Sequence, residues 1–331
     1  MERSRIFSHT LKGALLLGAL SGSLVQADAP YVAPATPQGT GPYPAIMVQE
    51  PNLPTHTVYR PARLDAAGMK KLPIIAWGNG ACVNQGNRFR YFLTEIASNG
   101  FMAIAIGPLG PPDVETSLSS GDVRGKPSAV SPAAKRTADS PKIDYIPADT
   151  TAGQLTDAID WAIAENSRPG SPYYGKLDTS RIAVMGQSCG GLQASAAARD
   201  PRVTALGVWN SGLFTDARRV MDIAAADAPK TMLPGLRIPS IYVTGDQTDQ
   251  AFKNAEDDFA HVGGPSIRLW REQTGHKGTY REPNGGAFAP VAVAFLKWRL
   301  QDDQQAARMF IGPDCTLCKQ PEWHLRIKNI N

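Results

Sequence analysis

Short apolar runs without polar alternation recur along the chain, and most of them end at a glycine. Such runs are typical of strands that are buried on both faces of a sheet. The six clearest are LPIIAWG (72–78), FMAIAIG (101–107), RIAVMG (181–186), VTALGVWN (203–210), IPSIYVTG (238–245) and PSIRLWRE (265–272).

The segments between these runs carry an apolar residue every three or four positions, which predicts helices. In residues 87–100, for example, Phe89, Phe92 and Ile96 fall on one helical face. Gly100 then favours the end of that helix. Comparable helical segments cover residues 150–166, 189–200 and 289–301.

Buried strands interleaved with helices indicate an α/β protein with a mostly parallel central sheet and helices on both faces. Two earlier segments, 43–50 and 55–61, predict an antiparallel N-terminal edge. We expect one domain over residues 28–331. It carries a Pro- and Ser-rich insertion loop at about 108–148 and ends in a cysteine-containing tail.

The first 27 residues have the composition of a secretory signal peptide. Arg3, Arg5 and Lys12 precede a short apolar segment, and the small residues around Ala27 suit a cleavage site. The apolar segment is shorter than the roughly 20 residues of a membrane span. We therefore expect an exported protein, secreted or periplasmic, with no membrane span.

Charge and composition limit the kinds of partner and cofactor that we expect for this protein. The formal net charge is +4 over 331 residues, which argues against nucleic acid as the main partner. The hydrophobic content of 42% is sufficient for a substantial core. We find no cluster of residues with metal-ligand spacing, and we expect a monomer without a metal or organic cofactor.

The chemistry is concentrated in the sequence Gly186-Gln187-Ser188-Cys189-Gly190. This G-x-S-x-G box lies between a predicted strand and a predicted helix, which is the context of a nucleophile elbow. The turn is tight, so the residues two before and two after the nucleophile must be small. Centring the box on Cys189 would place Gln187 at one of these positions, so Ser188 is the predicted nucleophile.

A serine nucleophile needs a base, and His276 is the predicted one. It follows the last predicted strand, at the carboxyl edge of the sheet where Ser188 emerges. The acid is expected between these two residues, after a strand. Asp246 and Asp249 both qualify; Asp249 is favoured because the loop has more length to return to the histidine.

The oxyanion of such a reaction needs two backbone N–H donors. One belongs to the residue after the nucleophile, Cys189. The other is expected in the loop after the strand 72–78, from Asn79 or, next, Gly80.

The four cysteines of an exported protein favour disulfides over free thiols. Cys82 and Cys189 each lie in or just after one of the two segments expected to build the oxyanion hole. We therefore predict the pairs Cys82–Cys189 and Cys315–Cys318.

Three segments resemble secreted bacterial cutinases and polyester hydrolases, including those acting on poly(ethylene terephthalate). They are SPYYGKLDTSRIAVMGQSCGG (171–191), LGVWNSGLF (206–214) and FLKWRLQDDQQAARMF (295–310). The resemblance implies an α/β-hydrolase fold of the dienelactone-hydrolase-like branch. It also implies that Asp249 is the acid and that Trp209 stacks on the substrate.

The chain departs from this group at three places that affect the substrate. Asn79 stands where the group has an aromatic oxyanion donor, and Cys189 stands where it has methionine. Residues 110–142 have no counterpart, and an insertion over the site would favour a smaller ester than an open polymer groove accepts.

The resulting hypothesis is an exported serine carboxylic ester hydrolase acting on a small-molecule or polymeric ester. The alternative enzymatic function is that of a lipase or peptidase that uses the same triad. The non-enzymatic alternative is a binding protein with this fold, and under that hypothesis we would expect the triad to be incomplete.

Overall fold

The structure is a computed structural model, which describes residues 31–32, 38–110, 149–214 and 228–330. The predicted signal peptide and nearly all of the predicted insertion loop lie outside the described residues. Within the described ranges, no helix is long and apolar enough to span a membrane.

Ten strands form one sheet. They are β1 (Tyr31–Val32), β2 (Ala45–Gln49), β3 (His56–Pro61), β4 (Leu72–Gly78), β5 (Met102–Ile106), β6 (Leu177–Gln187), β7 (Ala205–Trp209), β8 (Ser240–Gly245), β9 (Ser266–Arg271) and β10 (Trp323–Lys328). Their spatial order is β1-β2-β3-β5-β4-β6-β7-β8-β9-β10. The six strands from β5 to β9 run parallel, and the strands at both ends of this order pair antiparallel.

Helices cover both faces of this sheet. They are α1 (Arg90–Ser98), α2 (Gly153–Ser167), α3 (Cys189–Ala197), α4 (Phe252–His261), α5 (Phe288–Leu300) and the short α6 (Gln304–Ala307). Alternate residues of β4 belong to opposite cores: Ile75 and Trp77 pack with α1 and α5, whereas Ile74 and Ala76 pack with α2, α3 and α4. The predicted α/β architecture, with its antiparallel N-terminal edge, is confirmed.

The C-terminal segment differs from the expected tail, because it adds strand β10 to the sheet. β10 pairs antiparallel with β9, from Trp323 opposite Arg271 to Lys328 opposite Ser266. Its sequence WHLRIK alternates apolar and polar residues, as a half-exposed edge strand requires. The C-terminal segment therefore extends the sheet by one strand beyond β9.

The core at the face of α1 is dense in aromatic rings. The Phe92 ring lies 5.2 Å from Trp77, 5.3 Å from Trp209 and 5.1 Å from Tyr280, measured between centroids. Phe92 is fully buried. Loss of this ring would leave a cavity among the largest side chains of the core.

We expect Phe92→Ala to lower the free energy of unfolding by about 3–5 kcal/mol, the usual cost of truncating a buried phenylalanine. Urea denaturation monitored by circular dichroism measures it. Tyr174→Ala is the matched control, because Tyr174 is 55% exposed and its truncation should cost less than about 0.5 kcal/mol. Equal losses in the two variants would contradict this assignment of the core.

Candidate active site

Ser188 occupies a sharp turn between β6 and α3. Its backbone has φ 53° and ψ −119°, a left-handed conformation that non-glycine residues rarely adopt. The Ser188 N–H donates to the Trp209 carbonyl at 2.9 Å. The turn thus presents the serine side chain at the carboxyl end of the parallel strands, at the start of a helix.

The glycines around Ser188 are required by close backbone contact. A Cβ on Gly186 would lie 2.1 Å from the Gly190 carbonyl oxygen, and a Cβ on Gly190 would lie 2.0 Å from the Gly78 carbonyl oxygen. Neither contact can relax, because each involves backbone atoms. The spacing argument made from the sequence therefore has a direct steric basis.

Ser188, His276 and Asp249 form a continuous hydrogen-bonded series. His276 Nε2 lies 2.9 Å from Ser188 Oγ, and His276 Nδ1 lies 2.7 Å from Asp249 Oδ1. The His276 side chain is 26% exposed, whereas that of Asp249 is fully buried. Ser188 directly follows β6, and Asp249 and His276 lie in the loops that follow β8 and β9.

Asp249 is held in its charged form despite its burial. Burial opposes ionisation, but hydrogen bonds from His276, the Ala251 amide and Asn210 outweigh it, so the pKa of Asp249 is lowered. Asp246 instead accepts hydrogen bonds from the Thr248 side chain and amide. Of the two predicted carboxylates, Asp249 is the one that the structure brings to His276.

Asn210 and Tyr280 extend this series and were not predicted from the sequence. Asn210 Nδ2 donates to Asp249 Oδ2 at 2.8 Å, and the Tyr280 hydroxyl donates to Asn210 Oδ1. Burial, together with the nearby charge of Asp249, raises the pKa of Tyr280. The available signal was an asparagine directly after a buried strand, at the edge where Ser188 emerges.

The two segments expected to supply oxyanion donors lie beside Ser188. Cys189 is the first residue of α3, so its N–H has no acceptor within the helix. Asn79 is fully buried, and its side-chain amide donates to the carbonyls of Val83, Gln85 and Ile106. Gly80, rather than Asn79, lines the adjoining cavity.

Both cysteine pairs are disulfide-bonded in the structure. The Cys82–Cys189 bridge joins the loop after β4 to the first residue of α3, with 5.2 Å between the Cα atoms. Both cysteines are buried. The bridge therefore ties together the two segments that flank the Ser188 hydroxyl, and Cys189 carries no free thiol.

The expectation that Trp209 stacks on a substrate is wrong. Its side chain is fully buried in the aromatic core, with the Phe92 ring 5.3 Å and the Phe288 ring 6.0 Å away. Trp209 is the last residue of β7, and its pleat position directs the ring towards α1 and α5. Only its carbonyl, which accepts the Ser188 N–H, touches the site.

A cavity of about 490 Å³ opens in front of Ser188, within the range of small-molecule sites. Its apolar wall is formed by Phe89, Leu192, Phe214 and Tyr280. No group of three or more His, Cys, Asp or Glu side chains in the described ranges could hold a metal ion.

Comparison with known families gives a match over part of the chain. The family model described as PET hydrolase-like matches residues 137–212, a segment that starts within the predicted insertion and contains β6, Ser188 and β7. A search of curated proteins finds no match. The chain therefore resembles PET hydrolase-like α/β hydrolases, in agreement with its fold, and this similarity points to a hydrolase of ester bonds.

Removing the Cys82–Cys189 bridge should lower the free energy of unfolding by about 2–5 kcal/mol, because the bridge closes a long loop in the unfolded chain. The double variant C82S/C189S, followed by urea denaturation, measures this. C315S/C318S is the matched control and should lose less, because its cysteines are only 3 positions apart. A larger loss in the control would contradict the expected order.

Proposed function

We propose that this protein is an exported serine carboxylic ester hydrolase that uses Ser188, His276 and Asp249 as a triad and forms a covalent acyl-enzyme. One observation carries the proposal: His276 lies within hydrogen-bond distance of both Ser188 Oγ and Asp249 Oδ1, at the wall of a cavity. This geometry suits a serine activated by a general base.

In the first half of the proposed reaction, His276 Nε2 accepts the Ser188 proton while Oγ attacks the ester carbonyl carbon. The C–O bond to the alcohol then breaks, and His276 returns the proton to the departing alcohol. A water molecule, deprotonated by His276, attacks the acyl-enzyme in the second half and releases the acid. Asp249 orients the imidazole and stabilises its charged form.

The Cys189 amide is the first proposed oxyanion donor. Asn79 was the predicted second donor and Gly80 its alternative; we favour Gly80, because it lines the cavity and Asn79 does not. Each such donor is worth about 10²–10³ in rate. The Cys82–Cys189 bridge would hold the two donor segments at a fixed separation, which supports a preorganised oxyanion hole.

The disulfides also support export, because such bonds persist in oxidising compartments. We propose that residues 1–27 are removed, that residues 28–331 form a single catalytic domain, and that the protein acts as a monomer in the periplasm or outside the cell. The size of the cavity favours a small ester, or the end of a polymer chain, as the bound group.

Ser188→Ala should lower kcat for p-nitrophenyl butyrate by at least about 10³-fold, because the variant has no nucleophile. Spectrophotometric release of p-nitrophenol measures it. Ser195→Ala is the matched control: Ser195 lies on α3 and donates to the Gly191 carbonyl, away from the cavity. Equal turnover by Ser188→Ala and the unmodified protein would exclude this mechanism and favour a binding protein.

Asn210→Gly should raise the pKa of Asp249 by about one unit, which an NMR titration of the 13C-labelled Asp249 carboxyl measures. The variant removes a donor that favours ionised Asp249, so the Asp249 pKa rises and the carboxylate is lost at a higher pH. Glycine tolerates the positive φ of 41° at this position, so the change tests the amide rather than the backbone.

Asn52→Gly is the control for this titration. Asn52 Nδ2 likewise donates to a buried carboxylate, Glu165, at 2.8 Å, but this contact does not involve Asp249. The variant should leave the Asp249 pKa where it is in the unmodified protein. An unchanged Asp249 pKa in Asn210→Gly would show that Asn210 does not stabilise the ionised carboxylate.

A further inference from the structure

The wall of the cavity in front of Ser188 carries three cationic side chains, Arg88, Lys277 and Arg281. Among its described lining residues there is no aspartate or glutamate. The whole chain holds 34 basic and 30 acidic residues. The described lining of the cavity therefore has a much larger excess of positive charge than the protein as a whole.

These cations are placed by the same segments that build the site. Lys277 directly follows His276, and Arg281 directly follows Tyr280. The Phe89 and Tyr280 rings contact each other edge to face at a centroid distance of 5.2 Å. Arg88 and Arg281, their chain neighbours, therefore border the same part of the cavity.

Lys277 and Arg281 are exposed, and neither forms an ion pair with a carboxylate in the described part of the chain. Other cations of the protein are paired: Lys230 lies 3.0 Å from Asp258, and Arg202 lies 2.6 Å from Asp200. Within the described residues, no carboxylate therefore neutralises the charges of Lys277 and Arg281.

We propose that this cationic wall binds the free carboxylate of a substrate that is a half-ester of a dicarboxylic acid. The inference rests on the proposed function and names its substrate class. Water would cleave the single ester bond of the half-ester, yielding an alcohol and a dicarboxylate.

The proposed binding depends on the attraction between the positively charged cavity wall and the negatively charged carboxylate of the substrate. A partly enclosed cavity with charges of one sign raises the local concentration of ligands of the opposite sign. A guanidinium also matches a carboxylate with two parallel donors. The Asp249 carboxylate does not line the cavity and is paired with His276, which lies between it and Ser188.

Three p-nitrophenyl esters that share a leaving group test the proposal. They are p-nitrophenyl hydrogen adipate, p-nitrophenyl methyl adipate and the p-nitrophenyl ester of trimethylammoniohexanoic acid, which are anionic, neutral and cationic. We expect kcat/KM to fall in that order, with about tenfold between anionic and neutral esters at low salt. High salt should reduce this ratio, because exposed charges are screened.

The double variant K277Q/R281Q should lower the anionic-to-neutral ratio about tenfold. K71Q/K176Q is the matched control, because it removes two positive charges at the opposite edge of the sheet. Lys71 and Lys176 directly precede β4 and β6, and the Leu72 N–H donates to the Lys176 carbonyl. This control should keep the ratio of the unmodified protein.

The outcomes separate the two proposals. If Ser188-dependent cleavage of the neutral ester occurs but the ratio is near one or unaffected by K277Q/R281Q, the substrate class is wrong and the proposed function stands. If no ester is cleaved, the proposed function fails. Calorimetric titration with monomethyl adipate then tests the cationic wall independently of catalysis. If the ligand binds about tenfold more weakly to the triple variant S188A/K277Q/R281Q than to Ser188→Ala, the proposed carboxylate site is supported. Equal binding to the two variants overturns it.

Discussion

The contact on which the site depends is the close approach of two backbone segments, the end of β4 and the start of α3. Gly190 packs so tightly on the Gly78 carbonyl that no Cβ fits between them. The Ser188 turn, with its positive φ of 53°, immediately precedes this contact, which lies beside the loop that carries Gly80. The Cys82–Cys189 bridge crosses the same junction. A covalent link therefore joins the same two segments whose close packing leaves no room for a side chain at Gly190.

The polar groups behind Ser188 form a second constraint. Asp249 is buried, yet its carboxylate is satisfied by His276, Asn210 and two backbone amides. A buried carboxylate with this many donors stays ionised and fixed in orientation. Tyr280 supports Asn210 from the aromatic core. The packing of that core is therefore coupled to the position of the imidazole.

Much of this arrangement could be predicted from local sequence. The buried strands and the G-x-S-x-G box have strong local signals, and the order of the strands puts His276 and Asp249 at one edge. Asn210 offered only a weak signal, its place directly after a buried strand, because its role arises from where neighbouring strands end in space. The same holds for Trp209: a strand's last residue can face the core or the cavity, and only the register of β7 in the assembled sheet decides which.

Strand β10 shows a different limit. Its period-two pattern was present in the sequence, but a short half-exposed strand after a cysteine-containing loop resembles an irregular tail until its partner β9 is known. The charge of the cavity is a similar case. Arg88 lies almost 200 positions from Lys277 and Arg281 along the chain, and no local pattern links them. The contact between the Phe89 and Tyr280 rings brings them to one wall. The charge of the cavity wall is therefore a property of the assembled aromatic core, since the contact between the Phe89 and Tyr280 rings also sets where their charged chain neighbours lie.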